Sequence, residues 1–159
     1  MTTVAPYGSW DSPISLEMLA EDAVLVSTPQ AFNGDLYWSE RRPAEGGRTA
    51  VVRRRGGAIT DILPVDFNAR TRIHEYGGTS FFPGADGVLA IRFEDQRVYR
   101  IEHGAATPLT PDPETPAGDR YADLVRHGDV VLAVRERHRE SGEPRNELVS
   151  FPLAGGAVS

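Results

Sequence analysis

The most informative stretch of this sequence is a tight turn followed by an apolar run, Gly84-Ala85-Asp86-Gly87-Val88-Leu89-Ala90-Ile91. The arrangement returns later in the chain as His127-Gly128-Asp129-Val130-Val131-Leu132-Ala133-Val134. A strand with one face in water alternates apolar and polar residues, whereas a strand covered on both faces has a continuous apolar run. The two runs therefore predict short strands that are enclosed on both faces.

Short strands joined by tight turns continue on both sides of these runs. Asn33-Gly34 is a hairpin signal, because both residues tolerate positive φ. The second strand of each predicted unit begins just after Asp35, Gly87 and Asp129, at spacings of 52 and 42 residues. A period of about 40 to 50 residues with four short strands per unit is typical of a β-propeller, in which neighbouring blades cover each other's faces.

We therefore predict an all-β fold, a partial β-propeller of about two and a half to three four-stranded antiparallel blades. The blades are expected at residues 24–66, 77–116 and 120–159. The alternative is a single all-β sandwich or barrel with evenly spaced hairpins. Residues 1–23 are predicted to form an N-terminal segment with a short helix at residues 12–20, which Ser12 can cap and Pro13 can begin.

The predicted ring is incomplete, since propellers need about four to eight blades. The fourth strand of the third blade has barely begun at Ser159. We therefore expect the chain to be the start of a longer polypeptide. An unclosed stack exposes the apolar face of its last blade, so the isolated chain is expected to aggregate or to be ordered mainly in its first two blades.

Composition narrows the function classes. The chain has 159 residues, no cysteine and a net charge of −6, and all 17 basic residues are arginine. The absence of cysteine excludes disulfides and thiolate sites, and the acidic balance argues against a nucleic-acid partner. No apolar run approaches the roughly 18 residues of a membrane span, and no signal peptide is recognisable, so we expect no membrane partner and a cytoplasmic protein.

The sequence offers no catalytic constellation. No serine lies in a Gly-x-Ser-x-Gly elbow, and no glycine-rich phosphate loop ends in lysine, so neither a catalytic residue nor a cofactor is predicted. The four histidines, His74, His103, His127 and His138, are far apart and lack metal-ligand spacing. We therefore predict no metal site.

Residues 68–78 hold the densest cluster of functional side chains. In an extended chain Arg70, Arg72 and His74 project to one side, and Glu75 lies opposite, where it can pair with another arginine. One interpretation is a polar rim that faces a central tunnel or a partner's active site and controls substrate access. The other is a hydrogen-bonded connector between two blades.

Three further residues belong to the same candidate set. Tyr76 follows the cluster and is expected to be partly buried if the segment is only a connector. Gln96 and Arg97 lie between two strands of the second blade, where they either extend the polar rim or form a turn with a salt bridge.

Several segments of the chain resemble bacterial S9-family serine peptidases of the dipeptidyl aminopeptidase/acylaminoacyl-peptidase type. The resemblance covers essentially the whole chain. The segments that carry it are Tyr7-Gly8-Ser9-Trp10-Asp11-Ser12-Pro13-Ile14, residues 36–48, Arg70-Thr71-Arg72-Ile73-His74-Glu75-Tyr76-Gly77-Gly78, residues 95–100, Arg120-Tyr121-Ala122-Asp123 and residues 133–138.

This resemblance implies an N-terminal β-propeller that covers a C-terminal α/β-hydrolase domain and restricts access to peptide substrates. The Ser-Asp-His triad of the family lies in the hydrolase domain, and no position of this chain matches it. The resemblance therefore implies that the chain alone is catalytically inert and has its own hydrolase domain as a partner. The alternatives are a non-enzymatic propeller that serves as an interaction platform, and a propeller lactonase, which would need metal ligands converging from several blades.

Overall fold

The computed structural model describes residues 4, 6–9, 13–15 and 23–159. Within these residues the fold is all-β, with 11 strands in three antiparallel sheets and one turn of 3-10 helix at Pro43–Glu45. This confirms the all-β part of the prediction. The strands are β1 Leu25–Phe32, β2 Asp35–Arg42, β3 Arg48–Arg55, β4 Ala58–Asp61, β5 Phe81–Gly84, β6 Gly87–Ile91, β7 Val98–Glu102, β8 Ala105–Pro108, β9 Asp119–His127, β10 Val130–Arg137 and β11 Arg145–Pro152.

The predicted N-terminal helix at residues 12–20 lies largely outside the described residues. Within its described part, residues 13 and 14 form a bend and residue 15 has no regular secondary structure. The helix therefore stays a prediction over most of its length.

Each sheet is built from strands that are consecutive in the chain. Sheet 1 has the order β1-β2-β3-β4, sheet 2 the order β5-β6-β7-β8, and sheet 3 the order β9-β10-β11. Sheet 3 therefore has three strands within the described residues. Next to its edge strand β11, Ser159 exchanges two backbone hydrogen bonds with Ser150, at 2.8 and 2.9 Å.

Sheet 2 lies between the other two sheets and has a hydrophobic core on each face. In β6, Val88 and Ala90 pack in the core shared with sheet 1, whereas Leu89 and Ile91 pack in the core shared with sheet 3. All four side chains are at most 3% exposed. The continuous apolar run of β6 thus has the predicted cause, burial on both faces.

The equivalent run in β10 is covered on one face only. Val131 and Ala133 are buried in the core shared with sheet 2, but Leu132 is 43% exposed on the other face. The prediction of two covered faces is therefore wrong for β10 among the described residues. No described sheet packs against that outer face, and the sequence pattern of β10 carries no information about whether a neighbour is present.

The connections between strands lie at two opposite ends of the sheets. The tight turns of the β1–β2, β5–β6 and β9–β10 hairpins form one end. The other end, called here the loop end, contains the β6–β7 loop at residues 92–97 and the connector at residues 62–80 that joins sheet 1 to sheet 2. The candidate residues of the sequence analysis all lie at the loop end.

Candidate functional site

The connector is anchored to the β6–β7 loop by backbone hydrogen bonds. Ala69 forms an isolated antiparallel bridge with Arg92. The amide of Arg70 donates to the carbonyl of Ile91 at 3.1 Å, and the amide of Phe93 donates to the carbonyl of Asn68 at 2.9 Å. These bonds fix residues 68–72 in an extended conformation along the loop.

Arg70 and Arg72 lie on the same side of the connector, as predicted from strand periodicity. Their guanidinium carbons lie over the ring of Phe93, at 5.1 and 4.3 Å from its centroid. Contacts of this kind between a cation and a ring face are favourable and restrict the long arginine side chain. Phe93 was not among the predicted site residues, since nothing in the sequence indicates which ring the arginines would meet.

The extended conformation ends at a tight turn at residues 73–76. The amide of Glu75 donates to the carbonyl of Arg72 at 3.1 Å, and that of Gly77 donates to the carbonyl of Ile73 at 2.8 Å. His74 and Glu75 both have left-handed backbone angles, with φ of 53° and 60°. His74 therefore does not continue the row of Arg70 and Arg72, and this part of the prediction is wrong.

The turn is held by the buried carboxylate of Glu136. We call this residue and its neighbours the Glu136 cluster, which comprises Glu136, His74, His138, Arg120 and Glu75. Glu136 is 4% exposed and accepts a hydrogen bond from the backbone amide of His74 at 2.9 Å. Its oxygens also lie 2.9 Å from Nδ1 of His74 and 2.6 Å from Nε2 of His138. Arg120 lies 3.6 Å from Glu136 and 2.6 Å from Glu75, which confirms the predicted pairing of Glu75 with an arginine.

Glu136 is held in its charged form by its neighbours. Burial disfavours the carboxylate, but hydrogen bonds from His138 and from the backbone of His74, with the nearby imidazoles, outweigh it and lower the pKa of Glu136 below its ordinary value. A charged group at this depth needs such partners. The cluster joins the connector to β10 and thus links sheet 3 to the segment that leads into sheet 2.

Gln96 is fully buried and supports the backbone of the two arginines. Its Oε1 accepts from the amide of Arg72 at 2.7 Å, and its Nε2 donates to the carbonyl of Phe93 at 2.8 Å. Gln96 also has a left-handed backbone, with φ of 60°, which a non-glycine residue adopts at some energetic cost. Its place in the structure agrees with a connecting role.

Arg97 binds to residues at the end of sheet 2. Its guanidinium donates to the carbonyl of Thr110 at 2.9 and 2.6 Å and pairs with Asp112 at 2.5 Å. This is the turn with a salt bridge that the sequence analysis gave as one of two interpretations. It leaves Arg97 with its donors occupied by the protein itself.

Tyr76 projects into solvent. It is 98% exposed, which contradicts the expectation of partial burial. The turn at residues 73–76 explains the difference, because Ile73 takes the buried position at 0% exposure and the chain then reverses. An aromatic side chain is thereby displayed at the tip of a turn anchored by the Glu136 cluster.

A groove with a volume of about 1010 Å³ lies between the outer parts of sheets 1 and 2. It is lined by apolar residues such as Phe32 and Val88 and by the charged pair of Asp35 and Arg55, which are 2.6 Å apart. The hydrogen bond from Arg55 lowers the pKa of Asp35. The sequence analysis did not identify this groove, because it depends on the distance between two sheets.

No group of three or more histidine, cysteine, aspartate or glutamate side chains in the described part of the chain is arranged to hold a metal ion. None of its helices has the length and apolar character needed to cross a bilayer.

Comparison with known proteins relates the chain to peptidases. No protein-family model matches it, and a search of curated proteins finds no match. Among solved structures, however, the fold is similar to part of peptidases that hydrolyse puromycin.

One such structure is a Mycobacterium tuberculosis puromycin-hydrolysing peptidase, with a TM-score of 0.84 and 40% sequence identity over 96% of this chain. Another is a mutant of a puromycin hydrolase complexed with PGG, with a TM-score of 0.81 and 34% identity over 95% of this chain. In both cases the chain spans 25% of the length of the other protein. The structural neighbours thus agree with the peptidase resemblance seen in the sequence.

Proposed function

We propose that this chain is the propeller part of an S9-type serine peptidase and that it restricts substrate access to a C-terminal α/β-hydrolase domain. The observation that carries the proposal is 40% identity and a TM-score of 0.84 over 96% of the chain to one quarter of a puromycin-hydrolysing peptidase. Identity at this level over nearly the whole chain supports a shared role for the matching part.

The arrangement of the three sheets supports a gating role. Sheet 2 shares one core with sheet 1 and another with sheet 3, as successive blades of a propeller do. A ring of such blades leaves a narrow axial opening, which admits extended peptides and excludes folded proteins. In this proposal the reacting groups belong to the hydrolase domain, and the chain alone is inert.

The proposed substrates are peptides and small aminoacyl amides cleaved close to the N-terminus. The sequence resembles dipeptidyl aminopeptidases and acylaminoacyl peptidases, and two structural neighbours are described as acting on puromycin. Puromycin is an amide of an amino acid with a free amino group, so its hydrolysis is chemically an aminoacyl cleavage. No cofactor is needed for this reaction.

The residues at the loop end divide into two groups in this proposal. Arg70 and Tyr76 are exposed and Arg72 is half-buried, and these three are the candidates for contact with substrate or with the hydrolase domain. Of the remaining candidates, His74, Glu75 and Gln96 hold the connector in place, and Arg97 holds the end of sheet 2.

The coding sequence downstream of residue 159 tests the proposal. We expect a Gly-x-Ser-x-Gly elbow about 300 or more residues further on, followed by an aspartate and then a histidine. Replacing that serine by alanine in the longer polypeptide should abolish hydrolysis of aminoacyl p-nitroanilides. A reading frame with more blades and no elbow would instead favour an interaction platform.

A further inference from the structure

We propose that Arg70, Phe93 and Arg72 form a binding site for a carboxylate, which we call the Arg–Phe–Arg stack. The assignment rests on the proposed function, because it identifies the carboxylate as the C-terminus of a short peptide substrate. The site has a preorganised part, the aromatic ring, and a recognition part, the two guanidinium groups. Each of these is supported by separate contacts.

The backbone under the stack is fixed at both arginines. Arg70 donates its amide to Ile91 at 3.1 Å, and Arg72 donates its amide to the buried side chain of Gln96 at 2.7 Å. Phe93 is in turn fixed by bonds from its amide to Asn68 and from Gln96 to its carbonyl. The ring and both arginines therefore belong to one hydrogen-bonded unit.

The positive charge of the stack is not neutralised by the described residues. Neither Arg70 nor Arg72 forms a salt bridge there, although most arginines at the loop end do. The acidic residues next to Phe93 and near Arg72 in the sequence are engaged elsewhere, since Glu94 pairs with Arg92 at 3.3 Å and Glu75 with Arg120 at 2.6 Å. Two neighbouring cations without a carboxylate partner attract an anionic group from solution.

The chemistry of the guanidinium group favours a carboxylate. A guanidinium that lies over a ring keeps its planar fork of N–H donors available at its edge, and this fork matches the two oxygens of a carboxylate. The ring reduces the freedom that the long side chain would otherwise lose on binding, so affinity gains from preorganisation. Arg70 is exposed and Arg72 half-buried, so the site is open to a ligand.

Binding can be measured by two-dimensional ¹⁵N NMR of the arginine Nε–Hε groups on the full 159-residue chain carrying Leu148→Glu, which places a charge on the exposed apolar face of sheet 3 and opposes self-association. The probes are the dipeptide alanyl-alanine, its C-terminal amide and inorganic phosphate, each titrated at constant ionic strength. We expect saturable shifts of the Arg70 and Arg72 signals with the dipeptide, and at least a fivefold weaker response with the amide and with phosphate. Equal responses to dipeptide and amide, or a stronger response to phosphate, would overturn the carboxylate assignment.

Variants separate the stack from general surface charge. Arg70→Gln and Arg72→Gln should each weaken dipeptide binding at least fivefold, and Phe93→Leu should weaken it because the guanidinium groups lose their support. Arg54→Gln is the matched control, since Arg54 is exposed on β3 and forms no salt bridge among the described residues. If all four variants bind the dipeptide alike, the site is not the stack.

A kinetic measurement on the longer peptidase distinguishes this inference from the proposed function. Arg72→Gln should raise KM for substrates with a free C-terminal carboxylate about fivefold more than KM for the corresponding amides. An active peptidase in which both substrates respond equally would refute the inference alone. A longer polypeptide without peptidase activity would refute the proposed function, and the NMR titration would still decide whether the stack binds carboxylates.

Discussion

Gln96 shows how a polar side chain can organise the loop end from within. It is buried at 0% exposure, yet its amide group serves the backbone of both the connector and its own loop. Buried polar groups of the backbone are costly when they lose their partner. Gln96 therefore determines where Arg72 and Phe93 lie, although it has no access to substrate.

Replacing Gln96 by leucine tests this role. Gln96→Leu keeps the approximate volume but leaves the amide of Arg72 and the carbonyl of Phe93 without partners, so we expect a loss of about 2 kcal/mol or more in the free energy of unfolding. Urea denaturation followed by circular dichroism measures it. Arg54→Gln on the exposed surface should stay within about 0.5 kcal/mol of the parent. A Gln96→Leu variant as stable as this control would contradict the account.

A second prediction concerns the stability of the protein at acidic pH and rests on Glu136. Because folding lowers the pKa of Glu136, its stabilisation is present above the unfolded pKa of about 4.3 and is lost as the pH falls through the lower folded value. The groups that face it are His74, His138, Arg120 and, through Arg120, Glu75.

We expect Glu136→Gln to lose less stability than the parent between about pH 5 and pH 3. Urea unfolding at several pH values measures the difference. Glu94→Gln, at an exposed carboxylate of the neighbouring loop, serves as the control and should keep the parent's acid dependence. Parallel pH profiles for the parent and Glu136→Gln would show that the carboxylate does not contribute.

At the loop end, the sequence was informative as far as the chain stays extended. Strand periodicity placed Arg70 and Arg72 on one side, and the structure agrees. It failed at His74 because a left-handed turn held by Glu136 begins there, and Glu136 is 62 positions away in the sequence. A long-range contact of this kind leaves no local pattern, and the exposure of Tyr76 depends on it too.

Strand β6 shows what an apolar run can establish about an element. Its alternate side chains belong to two cores, and the run therefore predicted a strand enclosed on both faces. Strand β10 has a similar run but only one described core, since Leu132 remains exposed. Sequence thus indicates that a face is apolar, whereas the presence of a covering sheet depends on the rest of the molecule.

The turn before β6 provides a test of how tightly sheet 2 is packed. A Cβ atom on Gly87 would lie in hard contact with the backbone carbonyl of Ile101, and its φ of 101° is unfavourable for other residues. We expect Gly87→Ala to destabilise the protein by about 3 kcal/mol. Gly34→Ala is the matched control, with φ of 82° in the β1–β2 turn but no atom within 4 Å, and should cost only about 1 kcal/mol.

Thermal and urea unfolding of the two glycine variants would compare them directly. The account requires that Gly87→Ala be clearly the less stable of the two. Equal stabilities would mean that the β5–β6 turn can move away from β7, and that sheet 2 is less tightly constrained than its two cores suggest.

At the scale of the whole molecule, the outer face of sheet 3 is apolar, and no described sheet covers it. Val125, Leu132 and Leu148 lie on the side of sheet 3 opposite its core, and they are 51%, 43% and 87% exposed. Adjacent exposed apolar side chains on a sheet favour association. The expectation that the isolated chain aggregates therefore has a specific surface as its cause.

We expect the isolated chain to self-associate in sedimentation velocity at micromolar concentration, and Leu148→Glu to weaken the association about tenfold. Leu148 is nearly fully exposed, so a charge there should leave the fold intact. Ile59→Glu, at a residue that is 62% exposed on β4 of sheet 1, is the control and should associate like the parent. A monodisperse parent chain would contradict this prediction.

The most direct test of whether this chain is the substrate-restricting part of a peptidase is hydrolysis of an aminoacyl p-nitroanilide. It is measured on the 159-residue chain and, in parallel, on the longer polypeptide encoded by the same reading frame. The account predicts no turnover above background for the chain and serine-dependent turnover for the longer polypeptide. Turnover by the purified chain that persists in independent preparations, or an inert longer polypeptide, would contradict it.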